Sequence, residues 1–157
     1  MGNIRAAIEK LRKKSTGAPD LAPMPSQEQL RAAEARLEAR FPPSFLEFLR
    51  EAGACQLPFW QTYWVGDDLG KRDIVAANYA QRGAKSPLPC FLIAFHNNGC
   101  GDQLCFDTRR QSKDGEYPVV FWDHEITLED NLADLFVVAD DFAEWLEQEV
   151  EVWFTVG

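Results

Sequence analysis

Apolar residues recur along this chain with two different periods, and the switch between them orders its elements. Residues 4–14 set Ile4, Ile8 and Leu11 on one helical face among basic side chains. The Pro-rich connector Ser15–Pro25 follows. This divides the chain into an N-terminal helix and connector, residues 1–25, and a domain, residues 26–157. The first helix is expected to be a loosely attached appendage. Ser26 with Gln29 three positions on has the spacing of a capping box, and Leu30, Ala33, Leu37 and Phe41 then recur at helical intervals. Pro42 and Pro43 end that helix, and Pro43 can open the next, because the first turn needs no amide donor. In that helix Phe45, Phe48, Leu49 and Ala52 form one stripe, with Gly53 as its expected C-terminal cap. The aromatic stretch Leu57–Asp68 predicts a strand near Gln61–Val65. Asp73 is expected to cap a helix over Ile74–Arg82.

Between Phe91 and Glu125 the helical period gives way to short apolar runs separated by turn residues, which predicts three strands. In the first, Phe91, Ile93 and Phe95 alternate with Leu92 and Ala94, apolar on both faces, as in a central strand covered on both sides. In the second, Leu104 and Phe106 point one way, and Gln103, Cys105 and Asp107 the other. The third is Tyr117–Trp122, with Pro118 near its start, where a missing donor costs least. The bend Gly99–Asp102 and the longer loop Thr108–Glu116 suit antiparallel neighbours. Asp140 or Asp141 is expected to cap a last helix with the inner stripe Phe142, Trp145 and Leu146. The end of the chain fits either a strand with Val152, Phe154 and Val156 on one face or the last turns of that helix followed by an apolar tail.

Charge changes the picture more than composition does. The 157 residues carry a net charge of −9, yet all sixteen Lys and Arg lie at or before Lys113. From Asp114 onward there are thirteen acids and no Lys or Arg. Such a C-terminal part repels nucleic acid and attracts a basic protein. The alternative is that these acids simply solvate outer faces. No apolar run approaches a membrane span, and no secretory signal is legible, so a cytoplasmic protein with reduced thiols is expected.

Candidate chemistry is sparse. Asp102, Asp107, Glu116, Asp123 and Glu125 gather at strand ends, where paired carboxylates would serve a hydrolase. No GxSxG elbow, P-loop or HExxH helix accompanies them, so no enzyme is expected. His96, Cys100, Cys105 and His124 lack the spacing of a zinc finger, and neither metal nor cofactor is expected. The turn Gly99–Asp102 has two readings: a grip for a partner, or glycines that permit positive φ beside an Asp that bonds the backbone. Trp60 and Trp64 are candidate anchors for a partner, since Trp dominates binding hot spots, although alternate aromatics must face the core.

The ordered series PPSFLEFLREAG, FLIAF, the GxGD turn, LCFD, YPVVFWDHE and FAEWL resembles the SMI1/KNR4 family of the SUKH superfamily, over roughly Ser26 to Val150. Two positions depart from the family's pattern: Cys100 stands where the turn usually has Asn, and Gln103 where an aromatic commonly follows the Asp. The resemblance implies an α+β fold, a mainly antiparallel sheet packed by helices. It also implies a protein-binding role without catalysis. Bacterial members are largely regarded as immunity proteins that neutralise toxins, many of them nucleases; fungal relatives are linked to regulation of cell-wall synthesis. The expected partner is therefore a basic toxin domain, with Trp60, Trp64, Asp102, Asp107, Glu116, Asp123 and Glu125 as contact candidates. The alternative is a regulatory or scaffold domain that binds an endogenous protein.

Overall fold

Local signals fix most of the helices. The computed structural model describes residues 2–14, 24–52 and 61–156. Helix α1 covers Ile4–Lys14, α2 Gln27–Leu37, α3 Pro43–Glu51, α4 Ile74–Arg82, α5 Leu128–Ala133 and α6 Phe142–Val156. Ser26 Oγ accepts from Gln29 N at 3.0 Å while Gln29 Oε1 accepts from Ser26 N at 2.9 Å, so the capping box at α2 forms in full. Pro43 is the first residue of α3, and Asp73 accepts from Ala76 N at the start of α4. At α6 it is Asp141 that accepts, from Glu144 N at 2.9 Å. Gly53, Leu57 and Trp60 lie outside the described residues.

Strands β1 (Leu92–Asn97), β2 (Gln103–Asp107), β3 (Val119–Trp122) and β4 (Val137–Ala139) form one antiparallel sheet in the order β1-β2-β3-β4. The fold is α+β. Register puts Ile93, Phe106 and Val119 on one face and Ala94, Cys105 and Val120 on the other. On the first face an aromatic core joins sheet to helices. Phe95 stacks on Phe106 with ring centroids 4.4 Å apart, and both meet Phe45 of α3 and Phe142 of α6. Edge-to-face pairs of this kind add to the area buried.

Several expectations change. The first strand is buried on both faces but lies at the end of the sheet. Its outer edge is closed by other means: Tyr63 N donates to Phe95 O and Asn97 N to Gln61 O, while the Asn78 side chain of α4 bonds both Ala94 N and Ala94 O. Burial on two faces thus came from helices and a covering segment, not from a central place. The stretch 61–65 contributes only isolated bridges, Thr62 to His96 and Trp64 to Asp73. The end of the chain is helical to Val156, so the strand alternative is overturned.

Helix α1 is not a loose appendage. Ala7, Ile8 and Leu11 are buried in the main core, and α1 packs on α6 and α3. Gly2 approaches α6 so closely that a Cβ there would overlap the backbone of Ala143 and Glu144. Asn3 N donates to Glu147 at 2.8 Å, and Lys10 pairs with Glu151, which ties the basic helix to the acidic one. Two elements had no sequence signal assigned to them: α5, capped by Thr127, and β4.

Candidate functional site

The turn between β1 and β2 is built from its own polar side chains. Asn97 Oδ1 accepts from Gly99 N at 2.7 Å, and Asn98 Oδ1 accepts from Cys100 N and Asp102 N. Gly99 and Gly101 take φ of +89° and +100°, where a side chain is strained. A Cβ on Gly101 would also meet the His124 ring at 2.9 Å. Asp102 reaches across to the end of β3: its Oδ1 lies 2.7 Å from His124 Nδ1 and accepts from His124 N at 3.2 Å. Partial burial pushes the Asp102 carboxyl up, but the bonds from His124 and Asn98 outweigh it and hold it below the ordinary carboxylate range. The same bond raises His124. The turn is thus clamped to the third strand, so turn chemistry accounts for much of the residue pattern here.

Behind the turn, Gln103 is fully buried and accepts from Tyr63 OH at 2.7 Å while donating to Gly101 O at 3.1 Å. Gln103 is thus a polar strut between Tyr63 and the turn. Cys100 is exposed at the apex.

The other contact candidates divide sharply. Asp107 is fully buried; burial pushes its carboxyl up, but Arg109 and Arg110 more than compensate and lower it. Arg109 makes two side-chain bonds to it, both at 3.0 Å, and Arg110 Nη2 lies at 3.1 Å. Glu116 accepts from Ser44 N at 2.9 Å and from Ser44 Oγ, which supplies α3 with the N-terminal cap that Pro42 has no side chain to give. Burial raises the Glu116 carboxyl despite those bonds. Trp64 is only 4% exposed and packs edge-on against Phe48. Trp64 and Asp107 therefore have no surface to offer a partner, and Glu116 is engaged internally. Trp60 lies outside the described residues. Asp123 is half-buried, with its backbone held by Asn131 of α5, and Glu125 is exposed.

The four residues weighed for zinc are split: His96 and Cys105 are buried, Cys100 and His124 exposed. Among the described residues the group that does bring possible ligand atoms within 4.8 Å is Asp102, Asp123 and His124, with Asp102 already paired to His124. Exposed acidic groups of this kind are common, and nothing else there points to an ion.

His96 has a structural role with a measurable consequence. Its Nδ1 lies 2.9 Å from Thr62 Oγ1, and its ring packs against Trp145 at 4.9 Å. Burial lowers its pKa from the ordinary 6.5 to about 3. Between these values the unfolded chain binds a proton that the folded chain does not, so stability falls as pH drops below 6.5, by about 1.4 kcal/mol per pH unit. Urea unfolding of wild type and His96→Gln at several pH values checks this: the difference between them should shrink as pH falls. A constant difference would refute it. His124 has the opposite sign, but it is present in both proteins and cancels.

The residues that sequence reasoning passed over are on the far edge of the sheet. Leu132, Phe136 and Val137 are exposed, Phe136 by 65%. The run LFVV from Leu135 to Val138 was legible as a strand signal, but its exposure was not. Among the described residues no helix is long and apolar enough to cross a membrane.

Comparison with curated proteins finds no match. A solved structure, described as a protein from Pseudomonas syringae pv. tomato, has a TM-score of 0.59 with this chain at 23% identity, over 78% of this chain and 86% of that one. At this identity the likeness carries the fold and nothing further. The family profile described as SMI1-KNR4 cell-wall matches residues 4–153, α1 included. The ordered motifs, the α+β architecture and a match over nearly the whole length agree: the chain belongs to the SMI1/KNR4 family of the SUKH group.

Proposed function

We propose that this chain is a non-enzymatic protein-binding module that neutralises a cognate toxin by covering its active groove, in the cytoplasm of the cell that makes it. The observation that carries the reading is the sign of the surface. Thirteen acids and no Lys or Arg follow Lys113, and Glu125, Glu129, Asp130, Asp134 and Asp140 among them are exposed. A surface of that charge suits a basic domain, such as that of a nuclease, and disfavours nucleic acid and anionic membrane. Family membership supports a binding role. Of the contact candidates, Asp123 and Glu125 remain proposed contacts, with Asp102 at their border, and so does Trp60, which lies outside the described residues. The family's cell-wall description favours a second reading, a regulatory domain that binds an endogenous protein.

Growth of cells that co-express a toxin encoded beside this chain tests the first reading, with rescue as the expected result. With the purified pair, the association rate should fall about tenfold or more between low and high salt. A rate that stays flat would refute the charge mechanism.

A further inference from the structure

The edge of the sheet at β4 joins exposed apolar side chains to exposed acids. Strand β4 is last in the order, so among the described residues no strand pairs with its outer side. Phe136 is 65% exposed, Val137 and Leu132 each 40%. An exposed edge strand with large apolar side chains is a template for another chain and is ordinarily blunted by shortness, charged side chains, Pro or a covering loop. Strand β4 is short, three residues, but neither Lys nor Pro occurs from Ile126 to Asp140. What surrounds the edge instead is acid: Glu129, Asp130, Asp134 and Asp140 are exposed, and none of them takes part in the ion pairs seen among the described residues. The adjoining groove of about 650 Å³ is lined by Lys85 and His124 together with Glu125, Ile126 and Glu129.

We infer that β4 and α5 form a docking edge for an extended, cationic segment of a second protein, which adds to β4 as a strand and sets an apolar side chain against Phe136. Two observations select this occupant. The acids make the edge complementary to Lys and Arg. They also set it against itself: a second copy of this chain would bring the same acids face to face, with like charges opposed across the new strand pair. An added strand gains main-chain hydrogen bonds for affinity, while alternate side chains supply specificity. The inference rests on the protein-binding reading above and names the surface that reading uses.

The probe is a synthetic heptapeptide alternating Lys and Val, titrated into 15N-labelled protein, with the Glu-Val counterpart as control. The expected result is saturable shifts confined to the amides of β3, β4 and α5 for the Lys-Val peptide and none for the Glu-Val peptide. Phe136→Ser, at an exposed position, should keep the wild-type melting temperature and weaken binding about tenfold. The double variant Glu129→Lys, Asp134→Lys should weaken it further at low salt and little at high salt. Shifts centred elsewhere, no saturation, or equal affinity of Phe136→Ser overturn the inference. A wild-type dimer by sedimentation that Phe136→Ser dissolves overturns the occupant. Growth rescue separates the two proposals: a wild type that does not rescue sinks the toxin reading and leaves the titration to judge the edge. Rescue that Phe136→Ser retains in full sinks the edge and leaves the toxin reading standing.

Discussion

Phe45→Ala is expected to lower the free energy of unfolding by about 3–5 kcal/mol, a large share of the roughly 5–15 kcal/mol that holds a domain together. Phe45 is fully buried on α3, and its ring meets those of Phe41, Phe48, Phe95, Phe106 and Phe142 at centroid distances between 5.2 and 6.2 Å. These partners come from α3 and the turn before it, from two strands and from α6, so the ring is where helices and sheet meet. Removing it leaves a void that those rings, fixed by different elements, cannot jointly fill. The cost then includes the cavity as well as the lost transfer energy. Urea denaturation at neutral pH measures it through a fall in midpoint with an unchanged slope. A loss below about 1 kcal/mol would mean that the ring is not central to the core. Phe45→Leu keeps more of the volume and should cost less.

Asn78→Asp tests how the sheet ends. Asn78 Nδ2 donates to Ile74 O at 2.8 Å and to Ala94 O at 2.9 Å, and Oδ1 accepts from Ala94 N at 2.8 Å. The side-chain amide thus satisfies both backbone groups of Ala94 on the outer edge of β1, where no full strand pairs among the described residues. A carboxylate keeps the acceptor, loses both donors and faces two carbonyl oxygens in a fully buried site. The expected loss is about 2–4 kcal/mol at neutral pH. Burial against two carbonyl oxygens raises the new carboxyl's folded pKa above its unfolded value. The form compatible with folding is therefore the protonated one, and stability tied to it is lost as pH rises through the folded pKa. The deficit relative to wild type should accordingly shrink towards about pH 5. Asn78→Leu, which cannot titrate, should show a deficit without that recovery. A variant that matches wild type at neutral pH would show that the edge is closed by residues 61–63 alone.

The candidate site was legible in chemistry and poorly legible in place. Acids at strand ends were visible as residue types, and Asp102, Asp123 and Glu125 do sit at the ends of β1–β2 and β3. Asp107 has the same residue type and the same kind of position, yet is fully buried between two arginines that follow it in sequence. Glu116 lies in a loop and caps a helix seventy-two positions away. Nothing within a few residues of either announces that difference, because a carboxylate's burial depends on what a distant segment lays over it. Phe136 is the reverse case. The apolar run Leu135–Val138 was assigned to no element, and nothing near it in sequence shows that Phe136 stays uncovered.

Helix starts were settled within the sequence. Ser26 with Gln29, Pro43, and Asp73 each act through backbone groups three positions away or fewer, so the chain carries the whole interaction. The three antiparallel strands were likewise announced by period and by turns, and the lack of any Lys or Arg after Lys113 is a property of the sequence alone. Only the tertiary structure decided that α1 belongs to the core, that β1 is an end strand closed by Asn78, that Trp64 and Asp107 face inward, and that Phe136 faces out. Those outcomes turn on which elements meet across the fold. Apolar burial is non-directional and falls to whichever surfaces come together, so a residue's own neighbours in sequence do not determine it.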